Sequence, residues 1–248
     1  GCVIGDRPID LHLRGLEGLG AEARVEGGDV HLEARYGLTG AEIDMSGKHG
    51  ATVLGTDNVM MAAVLAKGTT VITGAACEPE VVDLANFLSA MGAKSSGAGS
   101  PTIRITGVKE LHGAEHEVIP DRIEAATFAL AAAATDGEIT IKGARAEHLT
   151  AVLDKMRAAG VSITRRGNDM IVKRNGRLRP VDITTLPYSG FPTDMQAQMM
   201  ALLVLVPGIS IITERIFESR FMHVSELARL GADIEIEGPS AIVKGGKP

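Results

Sequence analysis

A cysteine stands in the loop Gly1-Cys2-Val3-Ile4-Gly5, five residues ahead of Arg7. A nearby guanidinium lowers the pKa of a thiol, and such a thiol can serve as nucleophile or proton donor. The same loop suits an inert free cysteine, so two readings of Cys2 stand. The run Arg7-Pro8-Ile9-Asp10-Leu11 offers a cation, a carboxylate and backbone amides on a short extended segment before a helix. It can hold a phosphate with Arg7 and read a ring edge with its amides, or it is an ordinary turn fixed by Pro8. Thr193 and Asp194, in FPTDMQAQ, stand at the start of an apolar helix. Capping explains them at about 1 kcal/mol; only a hydroxyl-accepting carboxylate of a sugar site would raise Asp194 above that. Cys77, before Glu78-Pro79 at a helix start, reads as structural. Arg165, Arg166, Lys173, Arg174, Arg177 and Arg179 fall on a predicted hairpin and read as a solvated face, with phosphate or nucleic acid as the alternative. The His residues show no metal-ligand spacing, and CxxC, HExxH, GxGxxG and P-loop motifs are absent. That argues against zinc, dinucleotide and P-loop chemistry.

The elements that must position these residues come from a unit written three times and a half. Segments beginning near Ala62, Ala129 and Ala201 each read as an apolar helix, a Gly turn, a β-rich run, a polar loop, a second helix and a closing Gly. The first Gly falls at Gly68, Gly137 and Gly208, giving periods of 69 and 71. The closing Gly falls at Gly92, Gly160 and Gly231, after 24, 23 and 23 further residues. A half copy opens the chain and closes at Gly20. The first helix of each unit is apolar almost all round and belongs inside. The second is amphipathic, with Leu149, Val152, Leu153 and Met156, and likewise Leu84, Phe87, Leu88 and Met91, at i, i+3, i+4, i+7. Strands are predicted at 70–73, 139–142 and 209–213, with turns at Gly167-Asn168 and Asn175-Gly176. Each unit is a helix–strand–helix–strand module whose sheet covers a buried helix.

Composition bounds what such a chain can be. With 248 residues, 45% of them hydrophobic, it can form one large domain or two ordinary ones. The polar segment 107–120, holding Gly113 and two His, separates domains 1–119 and 120–248. A net charge of -6 offers no general attraction to nucleic acid or an anionic membrane, and 3% aromatics with no Trp removes base-stacking platforms. The longest apolar runs, such as 199–207, reach about ten residues, below the ~20 that span a bilayer. Two cysteines make no disulfide framework, which reads as a reducing, cytoplasmic setting. The chain opens without Met and inside a repeat, so it reads as a fragment of something longer.

Four segments, GCVIGDRPIDLH, PDRIEAATF, FPTDMQAQ and FESRFMHVSEL, occur in that order and closely resemble the UDP-N-acetylglucosamine enolpyruvyl transferase family. The enolpyruvylshikimate-phosphate synthases share the repeats and are a distant second. The resemblance implies an α/β fold, an inside-out barrel of repeated βαβαββ units with helices inside and sheets outside, and a substrate cleft between two domains. It implies transfer of the enolpyruvyl group of phosphoenolpyruvate to the 3-hydroxyl of UDP-N-acetylglucosamine, without metal or cofactor. By that resemblance Cys2 gives a proton to the methylene carbon, and Asp194 contacts the 3-hydroxyl as its base. Arg7 holds phosphoenolpyruvate oxygens, and the run through Pro8, Ile9, Asp10 and Leu11 grips the uridine nucleotide. Ile216 contacts the sugar nucleotide and Arg220 lines the cleft. Lys48-His49-Gly50 stands where the family has Ser-Val-Gly, followed by an extra stretch at 54–58, so Lys48, His49 and Gly50 are the candidate diphosphate contacts. Expected partners are the two small substrates, with no nucleic acid and no membrane, and the oligomeric state is open. Because arginines and a Lys-Asn pair of the family are missing from this chain, a catalytically incomplete piece that only binds the sugar nucleotide is the rival reading.

Overall fold

The computed structural model describes residues 9–48 and 50–246. These fall into two compact units, 9–119 and 120–246. The first runs α1 (Asp10–Gly18), β1 (Glu22–Glu26), β2 (Asp29–Glu33), β3 (Glu42–Asp44), β4 (Ser46–Gly47), β5 (Gly50–Ala51), α2 (Val53–Ala63), β6 (Thr69–Thr73), α3 (Pro79–Ala90), β7 (Lys94–Ser96) and β8 (Thr102–Thr106). The second runs α4 (Arg122–Ala134), β9 (Glu138–Ile141), α5 (Thr150–Ala159), β10 (Val161–Arg166), β11 (Asp169–Arg174), β12 (Ile183–Thr184), α6 (Gln196–Val204), β13 (Gly208–Thr213), α7 (His223–Arg229), β14 (Ile234–Glu237) and β15 (Ser240–Gly245). Single 3₁₀ turns, Ala146–Leu149 and Thr193–Met195, precede α5 and α6.

The repeat seen in the sequence is a repeat in the sheets. One sheet is ordered β3-β6-β8-β7 and another β12-β13-β15-β14. Each opens with a parallel pair, Ile43 against Ile72 and Ile183 against Ile212, the partners 29 residues apart in both. The module is therefore strand–helix–strand–helix–hairpin, starting one strand earlier than the helix-first unit read from the sequence. The opening strand escapes sequence reading because β12 has two residues and β3 three, too few to show alternation. The second copy has three strands, β10-β11-β9. Its opening-strand slot falls in the irregular segment 107–121. That segment is held to α3, where His116 Nε2 lies 3.0 Å from Asp83 Oδ1, its ring packs 5.2 Å from Phe87, and His112 N donates to Met91 O.

The helices follow their patterns. Along α2, Thr56, Val59, Met60 and Ala63 are buried; α4 buries Ala125, Ala126, Ala129, Leu130, Ala132 and Ala133, and small side chains there allow close approach. α5 presents Val152, Leu153 and Met156, with Leu149 just before it, all at 2% exposure or less, and ends on Gly160 at φ +104, the left-handed stop that glycine favours. α3 buries Val81, Ala85 and Leu88, with Leu84 partly buried against the same core and Phe87 packed on the His116 ring. Between β10 and β11, Gly167 at φ +63 fills the first central place of a two-residue hairpin turn. On that basic hairpin, Arg165 pairs with Glu147 at 3.1 Å, Lys173 with Glu138 at 2.8 Å and Arg174 with Asp136 at 3.5 Å. Among the described residues no helix is long and apolar enough to cross a membrane.

One polar residue of α2 sits uneasily. Asp57 Oδ1 is shielded and has no hydrogen-bond partner. Burial first, then the charges of Glu78 and Glu80, push its carboxyl up to about 6. A raised carboxyl pKa means the folded chain holds a proton that the unfolded chain has released. The stabilising contribution is full below about pH 4 and is lost as pH rises through about 6. Asp57→Asn is therefore expected to raise stability at pH 8 and to give no gain at pH 4. Because the group is only half-buried, solvent screening limits the gain to ~1 kcal/mol, or about 2–4 °C in melting temperature. Equal gains at both pH values would contradict the burial account.

Candidate functional site

Asp194 and its neighbours form a polar network in unit 120–246. Aligned by the repeat periods, the helix-capping slot holds Thr52 in the first copy, Asp121 in the second and Pro192 in the third. Thr52 Oγ1 accepts from Gly55 N at 3.2 Å, and Asp121 Oδ1 accepts from Ile123 N at 2.8 Å and Glu124 N at 3.0 Å. Pro192 has no such side chain, and neither Thr193 nor Asp194 caps α6. The capping account thus holds for Asp121 and fails for Asp194.

Thr193 and Asp194 are bonded elsewhere. Arg220 Nη1 donates to Asp194 Oδ1 at 2.8 Å and to Thr193 Oγ1 at 3.1 Å. The Thr193 hydroxyl donates to Glu214 Oε2 at 2.9 Å. Glu214 is wholly buried, and its Oε1 accepts from Thr185 Oγ1 at 2.6 Å, Ile216 N at 2.9 Å and Phe217 N at 3.1 Å. Arg220 also lies 5.9 Å from the centre of the Phe217 ring, and its carbonyl accepts from Gln196 Nε2 at 3.1 Å. Asp194 remains 56% exposed while the Arg220 side chain is 21% exposed. The site is a solvent-facing carboxylate braced from behind by a cation. Burial first, and the Arg220 charge second, hold the His223 imidazole below its usual pKa, so it adds no second cation at neutral pH. A crevice lined by Arg122, Glu147, Thr150, Tyr188 and Pro192 borders the segment that leads to Asp194, with Arg122 5.5 Å from the Tyr188 ring centre.

Three of the expected residues, Asp194, Ile216 and Arg220, are thus brought together, Ile216 through its backbone on Glu214. Sequence reading missed Glu214, although a signal existed. Six residues after the turn glycine, the first two copies have Gly74 and Gly143, and the third has Glu214. A charged residue replacing a turn glycine in a repeat marks a place where the backbone requirement has given way to another.

In unit 9–119 the expected residues gather at the start of α1. Asp10 and Leu11 are already helical and Ile9 is the N-cap residue, its carbonyl accepting from Leu13 N at 3.0 Å. Asp10 and Leu11 therefore do not belong to the extended run expected before the helix, because the Asp10 carboxylate in the first turn favours starting the helix there. Ile9 and Asp10 are exposed. Leu11 packs against the β4–β5 hairpin, where a Cβ on Gly47 would lie 2.9 Å from Leu11 Cδ1. That hairpin carries exposed Lys48 and, at φ +111, Gly50. Arg14 Nη1 ties α1 to the carbonyls of Asp44 at 3.4 Å and Ser46 at 3.2 Å, and His12 Nδ1 lies 2.8 Å from Asn58 Nδ2. The stretch 54–58, read as extra relative to the family, forms the first part of α2. Cys2, Arg7, Pro8 and His49 lie outside the described residues. Cys77 Sγ donates to Ala75 O at 3.7 Å, and burial with Glu78 pushes its thiol pKa up, the opposite of an activated nucleophile.

The family described as EPSP synthase (3-phosphoshikimate 1-carboxyvinyltransferase) matches residues 1–248. A UDP-N-acetylglucosamine 1-carboxyvinyltransferase of Akkermansia muciniphila is 53% identical over 247 residues, covering 99% of this chain and 58% of that protein. One of Trichlorobacter lovleyi is 56% identical over 247 residues, covering 100% of this chain and 58% of that protein. These names agree with the resemblance carried by the four sequence segments. Among solved structures, the enolpyruvyl transferase NikO from Streptomyces tendae has a TM-score of 0.87 at 25% identity, covering 97% of this chain and 59% of that one. An EPSP synthase from Acinetobacter baumannii has a TM-score of 0.68 at 21% identity, covering 100% of this chain and 59% of that one. The chain spans 58% of the length of the curated relatives it matches. With the duplicated sheets and these matches together, the chain belongs to the EPSP synthase family and has the α/β fold of the enolpyruvyl transferases.

Proposed function

We propose that this chain serves the transfer of the enolpyruvyl group from phosphoenolpyruvate to the 3-hydroxyl of UDP-N-acetylglucosamine, releasing phosphate, in the cytoplasm and as the first committed step of peptidoglycan precursor synthesis. The observation that carries this reading is the Asp194 carboxylate, released from capping by Pro192, exposed, and braced by Arg220. Relatives at 53% and 56% identity carry the name of that activity. In the proposed reaction Cys2 gives its proton to the methylene carbon of phosphoenolpyruvate, which leaves an oxocarbenium-like centre. The sugar 3-hydroxyl attacks that centre as Asp194 takes its proton, and phosphate then leaves as the vinyl double bond re-forms with loss of a methyl proton. Arg7 holds anionic oxygens of phosphoenolpyruvate, and Lys48 offers a cation to the diphosphate from the β4–β5 hairpin. The run from Pro8 to Leu11 and Ile216 take the sugar nucleotide, His49 and Gly50 share the hairpin with Lys48, and units 9–119 and 120–246 are parts of two inside-out barrel domains.

A second reading, a piece that binds the sugar nucleotide without turnover, is favoured by the chain spanning 58% of its relatives. Mixing the chain with both substrates and measuring phosphate separates the two. Release that needs both substrates supports the transfer, and nucleotide binding without release supports the second reading. An epoxide resembling phosphoenolpyruvate is expected to alkylate Cys2 rapidly and spare Cys77, whose thiol is held protonated. Equal labelling of both cysteines would remove Cys2 from the reaction.

A further inference from the structure

We infer that Glu214 is a positioning residue, which through the Thr193 hydroxyl holds Arg220 against Asp194 and so sets turnover; this rests on the role proposed for Asp194. The argument is one of donors and acceptors. A hydroxyl has one proton to give. The Thr193 proton is taken by Glu214 Oε2 at 2.9 Å, so toward Arg220 Nη1, 3.1 Å away, the oxygen can only accept. The same guanidinium nitrogen then reaches Asp194 Oδ1 at 2.8 Å. Thr185 is wired alike: its hydroxyl donates to Glu214 Oε1 at 2.6 Å and accepts from Arg215 N at 2.8 Å. Glu214 also fixes Ile216 N and Phe217 N, the start of the loop that leads to Arg220. One buried carboxyl group thereby fixes both the segment entering Asp194 and the loop delivering its cation. Nothing else in the repeat requires a carboxylate there, since Gly74 and Gly143 hold the equivalent slots at φ +61 and +68.

Glu214→Gln exchanges one acceptor for a donor. The orientation that keeps three bonds on the oxygen turns the amide nitrogen to Thr193, whose proton then has no acceptor. Thr193→Val removes the relay at nearly constant shape, and Thr193→Ser keeps it. The mobility of the Arg220 side chain, read by ¹⁵N relaxation of its Nε–H in the full chain and assigned with Arg220→Lys, tests the positioning directly. Glu214→Gln and Thr193→Val are expected to loosen Arg220 and to lower kcat about tenfold or more with KM within about threefold, as small misplacements near chemistry do. Thr193→Ser is expected to restore both. If Glu214→Gln does not fold, Thr193→Val decides. An Arg220 as ordered in folded Thr193→Val as in the parent overturns the inference, and so does a loosened Arg220 with unchanged kcat. Should Asp194→Asn keep full turnover, the proposed reaction role falls instead, while the relaxation of Arg220 still decides the positioning.

Discussion

Asp194→Asn is expected to abolish phosphate release while leaving the fold intact. A positioned general base contributes about 10²–10⁴-fold to rate, and asparagine keeps the size and the hydrogen bond from Arg220 but cannot take a proton. The stability change is expected to be small. The Asp194 carboxylate is 56% exposed and its pair with Arg220 is of the solvent-accessible kind worth about 0–1 kcal/mol. Asp121→Ala is the counterpart. Its carboxylate closes two amides at the start of α4, so it should lose ~1 kcal/mol, about 2–4 °C, with turnover untouched. The two variants are therefore expected to separate cleanly, one in rate and one in melting temperature. Asp194→Asn with more than a tenth of parental turnover, or with the larger loss of stability, would return Asp194 to a structural role.

The contrast between these two aspartates also measures how much the sequence reveals. Three copies were legible because turn glycines and apolar helices recur at fixed spacing, and backbone geometry demands both locally. The site leaves a trace in the sequence where a copy departs from the others, although Asp194 was singled out by its resemblance to the family and Glu214 was missed. Pro192 breaks the run of caps begun by Thr52 and Asp121, and Glu214 breaks the run of turn glycines begun by Gly74 and Gly143. What the sequence could not supply was the partner of each departure. Glu214 is buried because Thr185, Thr193 and two backbone amides converge on it from segments up to 29 residues away. That convergence depends on the parallel pairing of β12 with β13, and β12 is too short to show a period. The start of α1 was misjudged for a local reason, the helix-favouring charge of Asp10.

The same reading by copies singles out two further glycines, and replacing either by alanine is expected to unfold its unit at a markedly lower temperature. Gly107 follows β8 and donates to Gly68 O, and Gly245 ends β15 opposite Gly208, so the two occupy one slot of the repeat. In each case the chain passes directly over the carbonyl end of the buried helix. A Cβ at Gly107 would overlap the Ala66 carbonyl oxygen beyond α2, and one at Gly245 would overlap the carbonyl oxygens of Leu203 and Val206 around the end of α6. Neither glycine has a left-handed φ, so the cost is steric and falls on backbone that cannot turn aside as a side chain would. The strand must lift from the helix, opening the interface that buries Met199, Met200, Leu202 and Leu203 in one unit and Val59, Met60 and Ala63 in the other. Overpacking against fixed backbone belongs with the largest single-residue effects, roughly 3 kcal/mol or more, which corresponds to a drop of about 6 °C or more. Gly113→Ala supplies the control, since a Cβ there meets nothing within 4 Å and its φ is not left-handed. Thermal unfolding followed by circular dichroism should find that variant within about 1 °C of the parent. Gly107→Ala and Gly245→Ala melting as late as Gly113→Ala would mean that strand and helix do not close on each other as tightly as the fold requires.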